Sequence, residues 1–274
     1  MYSPVIDDWD DAYANMAHVP GSDALPGLWS EAAAAFRARA RVERLETGSH
    51  PREVCDLVLP EDPPRGLAVF VHGGYWMRTE PAMWTHLAEG AAARGWAVAL
   101  PGYVLAPEAR LTAIAEQVAR GIAVAAARVG GPIRLAGHSA GGHLVTRLVC
   151  TDSPLDLGVA ERVEHVLSIS GLHDLRPLMQ TEMNATLHLD EAEASAESPA
   201  LLRPMEGTRL TAWVGGGERP EFLRQTRLID AIWPGLLALT RAVVDGDHHH
   251  FSVIEGLTEA ESAITEAFVG DVAV

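Results

Sequence analysis

Lysine is missing from this chain: all 21 basic residues are arginine. Schiff-base chemistry, a Walker-type phosphate lysine and a serine–lysine dyad are excluded together, since each depends on a lysine amine. Cysteine is scarce. Cys55 and Cys150 lie far apart in apolar segments, read as buried free thiols rather than a disulfide, and belong to no metal motif. No apolar run approaches the roughly 18 residues of a membrane span. The acidic opening "MYSPVIDDWDD" lacks the apolar core of a secretory signal, so a cytoplasmic protein without membrane attachment is expected. Positive charge is also in deficit, with 37 acidic residues against 21 basic and a net charge of −16. A polyanionic partner needs a basic face, which excludes nucleic acid.

What is present is an alternation. From Val54 onward, short apolar runs ("EVCDLVL", "GLAVFVH", "WAVALP", "IRLAGH", "VEHVLSIS", "RLTAWVG", "LTRAVV") alternate with helical stretches at Trp84 to Ala93, Ala113 to Val129, Ala140 to Cys150, Glu221 to Ile232 and Val253 to Phe268. This order predicts a mostly parallel central sheet flanked by helices. Without an internal repeat or a low-complexity linker, the 274 residues read as one α/β domain. Two segments break the alternation. Residues 1–50 form a cap-like N-terminal segment with an amphipathic helix over roughly Leu28 to Leu45, behind the punctuated "HVPGSDALPG". Residues 172–207 form a polar, lid-like insertion between two strands, far longer than the usual connection; it reads as a lid, a substrate wall or a plain surface excursion.

The stretch "GHSAGG", Gly137 to Gly142, matches G-x-S-x-G between the apolar run "IRLA" and the helical pattern "GHLVTRLVC". In that context Ser139 reads as a nucleophile on a sharp strand-to-helix turn rather than as an ordinary turn residue, with glycines where a side chain would strike the neighbouring strand or helix. A second strand runs into His-Gly-Gly in "VFVHGGYW". Such a loop supplies bare N–H groups for a developing oxyanion, so Gly73 and Gly74, with the N–H of Ala140, are the candidate hole. His72 reads as a residue ordering this loop, and His138 as packing beneath the serine. Tyr75 and Trp76 suit a narrow acyl pocket or, equally, the core.

In the order serine, acid, histidine, the base comes from "DGDHHHFSVIEGL". Three consecutive histidines diverge too much to share a metal, and His250, just before an aromatic residue and a helix start, is favoured over His248 and His249. The acid should follow "RLTAWVG", which selects Glu218, with Asp174 and Asp247 as alternatives.

Together, "HGGYW", "GHSAGG", "SGLHDLRPL", "SPALL", "ERPEFLRQT" and "HHFSVIE", with "DAYANMAHVPG" ahead of them, resemble the α/β-hydrolases, in the branch of hormone-sensitive-lipase-like esterases and kynurenine formamidases (arylformamidases). The resemblance implies the α/β-hydrolase fold, with Ser139 as nucleophile, Glu218 as acid, His250 as base, and Gly73, Gly74 and Ala140 at the oxyanion hole. Where many formamidases carry Asp-Ser before "PEF", this chain has Glu218-Arg219. The expected function is a cofactor-independent and metal-independent serine hydrolase cleaving a small-molecule amide or ester, an aryl formamide such as N-formylkynurenine first. Short-chain carboxylesterase or thioesterase activity is the alternative, and a catalytically silent ligand-binding protein of the same fold is the alternative from another class. A homodimer is compatible with the sequence, which does not fix the oligomeric state.

Overall fold

The computed structural model describes residues 6–271, so the opening residues of the N-terminal segment, 1–5, and the last three lie outside the described residues. Among the described residues eight strands form one sheet: β1 (Arg41–Glu46), β2 (Val54–Leu59), β3 (Leu67–Val71), β4 (Ala97–Pro101), β5 (Ile133–His138), β6 (Val163–Ile169), β7 (Arg209–Gly215) and β8 (Leu239–Asp245). Their order is β1-β2-β4-β3-β5-β6-β7-β8. The pairs β1/β2 and β2/β4 are antiparallel, and every pair from β4 to β8 is parallel. Strands covered on both faces can be apolar at every position, and β3, β4 and β5 are buried throughout.

The period-2 alternation of side chains divides the core into two layers. Leu67, Val69 and Val71 of β3 point into one, and Ala68 and Phe70 into the other. The first layer includes residues of helices α4 (Leu111–Arg128), α5 (Ala140–Arg147) and α9 (Pro220–Ile232), the second residues of α2 (Leu25–Arg37), α3 (Glu89–Ala93) and α10 (Ala263–Val269). The remaining helices are short: α1 (Trp9–Tyr13), α6 (Leu157–Ala160), α7 (Asn184–Leu187) and α8 (Glu191–Ala196). None of these helices is long and apolar enough to cross a membrane among the described residues.

Two sequence expectations are corrected. The helix expected over Leu28 to Leu45 ends at Arg37, and Arg41–Glu46 is an edge strand with Arg41 opposite Leu59. Helix α2 buries Ala33 and Phe36; beyond it, "RVERLE" meets the open backbone of β2, and ladder hydrogen bonds outweigh a weak local helix preference. Its alternating charges also keep this edge soluble. The closing helix expected over Val253 to Phe268 is broken into a 3₁₀ turn, Ser252–Thr258, and α10. In the 172–207 insertion, Leu172, Leu175, Leu178, Leu187 and Leu189 are buried in the core, and Glu197 pairs with Arg147 at 3.1 Å.

The strand order positions the site. From β3 the chain adds β4 on one side and β5 on the other, so the loops leaving the carboxyl ends of β3 and β5 part at a topological switch point, where a crevice opens.

Candidate active site

Ser139 stands where β5 turns into α5, at φ 56° and ψ −117°. A non-glycine residue is held in such backbone only by its surroundings. Here the Ser139 N–H donates to the Ile169 carbonyl at 2.8 Å, and close packing fixes what flanks it. A Cβ on Gly137 would lie 2.1 Å from the Gly141 carbonyl oxygen, and one on Gly141 would lie 1.9 Å from that of Val71. The first helical turn thus sits on the backbones of β5 and β3, which only glycine permits.

The loop after β3 lies against this turn. Gly74, Tyr75 and Trp76 are all left-handed, with φ of 108°, 53° and 57°, and a Cβ on Gly73 would come within 2.9 Å of the His138 carbonyl oxygen and 3.0 Å of Ser139 Cβ. Among the described residues, no acceptor takes the N–H of Gly73, Gly74 or Ala140. His72 ties the loop down. Its Nδ1 lies 2.8 Å from the Gly73 carbonyl oxygen and 3.2 Å from the Tyr103 hydroxyl, and its ring stacks on Tyr103. Burial pushes this imidazole down to about 4, so it is neutral at physiological pH.

The loop after β8 brings in a histidine, and the turn after β7 brings in a carboxylate. His250 Nδ1 is 2.6 Å from Glu218 Oε2, and both side chains are buried. With Nδ1 bound to a carboxylate, Nε2 is the ring nitrogen left to exchange a proton. The ring packs against Phe222 and His138, with centroids 4.5 and 4.6 Å away. His138 Nε2 donates to the His250 carbonyl at 2.8 Å; burial, then the neighbouring His250, hold this second imidazole well below its usual range. The other carboxyl oxygen, Glu218 Oε1, accepts from Ser170 Oγ at 2.5 Å and from the Gly215 N–H at 2.8 Å.

The competing candidates are engaged elsewhere. His248 contacts Ser252 Oγ, and His249 Nδ1 accepts from the N–H groups of Phe251 and Ser252. Asp174 accepts two hydrogen bonds from the Arg176 guanidinium, at 2.9 and 3.0 Å, and one from its N–H at 3.2 Å. Its carboxyl is raised by burial but held below the usual range overall by Arg176. Asp247 is exposed. The described residues contain no group of three histidine, cysteine or carboxylate side chains placed to hold a metal.

Tyr75 and Trp76 part company. Trp76 is wholly buried, edge-on to His143, so any effect it has on substrate fit passes through the loop backbone. Tyr75 is half-buried; its hydroxyl donates to the Tyr13 carbonyl at 2.6 Å and accepts from Asn15 Nδ2 at 3.1 Å. Tyr13 in turn donates to Glu221 Oε1 at 3.0 Å, and Asp11 pairs with Arg219 beside Glu218. The N-terminal segment therefore braces both the β3 loop and the start of α9. Sequence reasoning missed these braces and Ser170; the signals lay in "DAYANMAHVPG" and "SGLHDLRPL", whose partners are distant in the chain.

A hydroxyl at a strained turn, unpaired N–H groups beside it and a buried imidazole–carboxylate pair are the parts that acyl transfer requires. Residues 68–207 match a family of alpha/beta hydrolase fold. A presumed thioesterase of known crystal structure from Silicibacter sp. TM1040 is 43% identical, with a TM-score of 0.90 and coverage of 95% of this chain and 98% of that one. Kynurenine formamidase from Danio rerio is 28% identical over 233 residues, 80% of this chain and 78% of its own length. Esterase B from Lactobacillus rhamnosis has a TM-score of 0.66 over 93% of this chain and 91% of that one, at 17% identity, a likeness of fold.

Proposed function

The chain belongs to the α/β-hydrolase family, and from that premise we propose that it is a serine hydrolase cleaving small amides or esters through an acyl-enzyme, with aryl formamides as its first substrate class. Ser139 Oγ attacks the scissile carbonyl while His250 Nε2 takes its proton, and Glu218 holds the imidazole tautomer and stabilises the imidazolium. The N–H groups of Gly73, Gly74 and Ala140 receive the oxyanion, where prepaid orientation and exclusion of water make each donor count. His250 then returns the proton to the leaving amine or alcohol, and water repeats the sequence on the acyl-serine. No cofactor or metal is needed for any step.

The observation that carries the reading is the buried contact between His250 and Glu218 at 2.6 Å, on a histidine packed against the residue preceding Ser139. The formamide class rests on the kynurenine formamidase relative and on a formyl group being the smallest acyl group. A second reading, thioester hydrolysis, is favoured by the 43% identical presumed thioesterase.

The test is a parallel screen of N-formylkynurenine, p-nitrophenyl esters of increasing chain length and short acyl thioesters, with wild type and Ser139→Ala side by side. Formamide turnover should lead the series, and Ser139→Ala should lose about 10⁴-fold or more in kcat. Wild-type rates in Ser139→Ala would sink the mechanism; a thioester leading the series would transfer the assignment to the second reading.

A further inference from the structure

Glutamate is an awkward choice for the acid. It carries one more rotatable bond than aspartate, and a free glutamate side chain spreads over several rotamers that must be given up when it is ordered. In this chain it is pinned at three points. His250 takes Oε2 at 2.6 Å, while Oε1 accepts from the Gly215 N–H at 2.8 Å and from the Ser170 hydroxyl at 2.5 Å. The Gly215 contact is local, three residues away. Ser170 reaches across from the neighbouring strand, 48 residues earlier, and is fully buried.

Ser170 also stands in backbone that suits glycine better, at φ 50° just beyond β6. Its N–H donates to the Trp213 carbonyl at 2.7 Å, which locks that backbone to β7, the strand whose end presents the acid. A left-handed serine is strained, a cost that glycine would avoid. What the serine has and glycine lacks is the hydroxyl on Glu218.

We propose that Ser170 is a positioning residue: its hydroxyl, with the Gly215 N–H, fixes the longer acid Glu218 in the one rotamer that presents Oε2 to His250 Nδ1. The inference rests on the triad reading above. It also accounts for the tolerance of glutamate here, because the extra methylene is taken up by a hydrogen bond made on the far oxygen. The ionisable groups around this pair include His138, kept neutral by burial, Tyr75, whose phenol burial pushes up, and Arg219, which follows Glu218 in the chain and pairs with Asp11.

Ser170→Gly removes the hydroxyl while relaxing the backbone, so the fold should be retained; Ser170→Ala is the companion variant. Both are expected to lose about 10-fold in kcat with KM unchanged, in line with other groups that orient a ligating or catalytic imidazole. With the carboxylate no longer held against Nδ1, the imidazolium loses part of its stabilisation. The acid limb of kcat/KM should therefore move to lower pH. In a Glu218→Gln background, Ser170→Gly should cost nothing further, since the two act as one unit. A wild-type rate and an unmoved acid limb in Ser170→Gly, or the same loss in both backgrounds, would overturn the proposal. Failure of the triad reading is distinguishable, because it would appear as retained turnover in Ser139→Ala and Glu218→Gln, which leave Ser170 intact; the role of Ser170 would then fall with it.

Discussion

Lowering the pH from 7 to 5 is expected to remove about 6 kcal/mol of folding stability. Three fully buried histidines set this figure: burial pushes His72, His143 and His173 down to about 4, 3 and 4 respectively. The unfolded chain holds a histidine near about 6.5. All three stay neutral in the fold through this range, whereas the unfolded chain takes up protons below about 6.5. Their contribution is therefore intact above that pH and is lost as the pH falls towards the folded values. From pH 7 to 5 each gives up about 2 kcal/mol. His138 and His165, also held low by burial, act in the same direction, while Glu197, raised by burial, opposes it. Since a domain has only about 5–15 kcal/mol to lose, the effect should be plain in urea unfolding followed by tryptophan fluorescence and circular dichroism at pH 7, 6 and 5. The midpoint should fall steeply, with about one proton taken up on unfolding by each such histidine at the acid end. An unchanged midpoint at pH 5 would refute the assignment of these histidines as neutral and buried.

The acid is tested by Glu218→Gln against Asp174→Asn on one small ester, with folding checked by circular dichroism. Glu218→Gln should lose roughly 10² to 10⁴-fold in turnover, and Asp174→Asn, whose carboxylate is engaged with Arg176, far less. Inactivity of Asp174→Asn alongside an active Glu218→Gln would reverse the assignment. Gly73→Ala should lower kcat by about 10-fold or more, because its Cβ would sit 2.9 Å from the His138 carbonyl oxygen and displace the donors; an unchanged kcat would remove the β3 loop from the oxyanion hole.

Much of the fold was legible because parallel strands buried on both faces announce themselves as apolar runs, and the serine turn because its glycines are demanded by contacts such as Gly141 on Val71. Glu218 and His250 could be placed by strand order alone, since each follows a predicted strand, and the structure brings them to 2.6 Å. Residues 41–46 were misread because a short charged segment takes its conformation from β2 rather than from its own preference. Ser170 and Tyr13 were invisible for a related reason. Their meaning lies in contacts 48 and 208 residues away, and nothing local distinguishes such a serine or tyrosine from any other.

The seating of the Ser139 turn on β3 bears on how this protein can change over generations. With Gly141 pressed onto the Val71 backbone, the β3 loop and the serine turn form one rigid piece, and a substitution that moves either disturbs both. The 172–207 segment has no glycine seated on neighbouring backbone in this way. Divergence among relatives should therefore accumulate in that segment sooner than in the serine turn or the β3 loop.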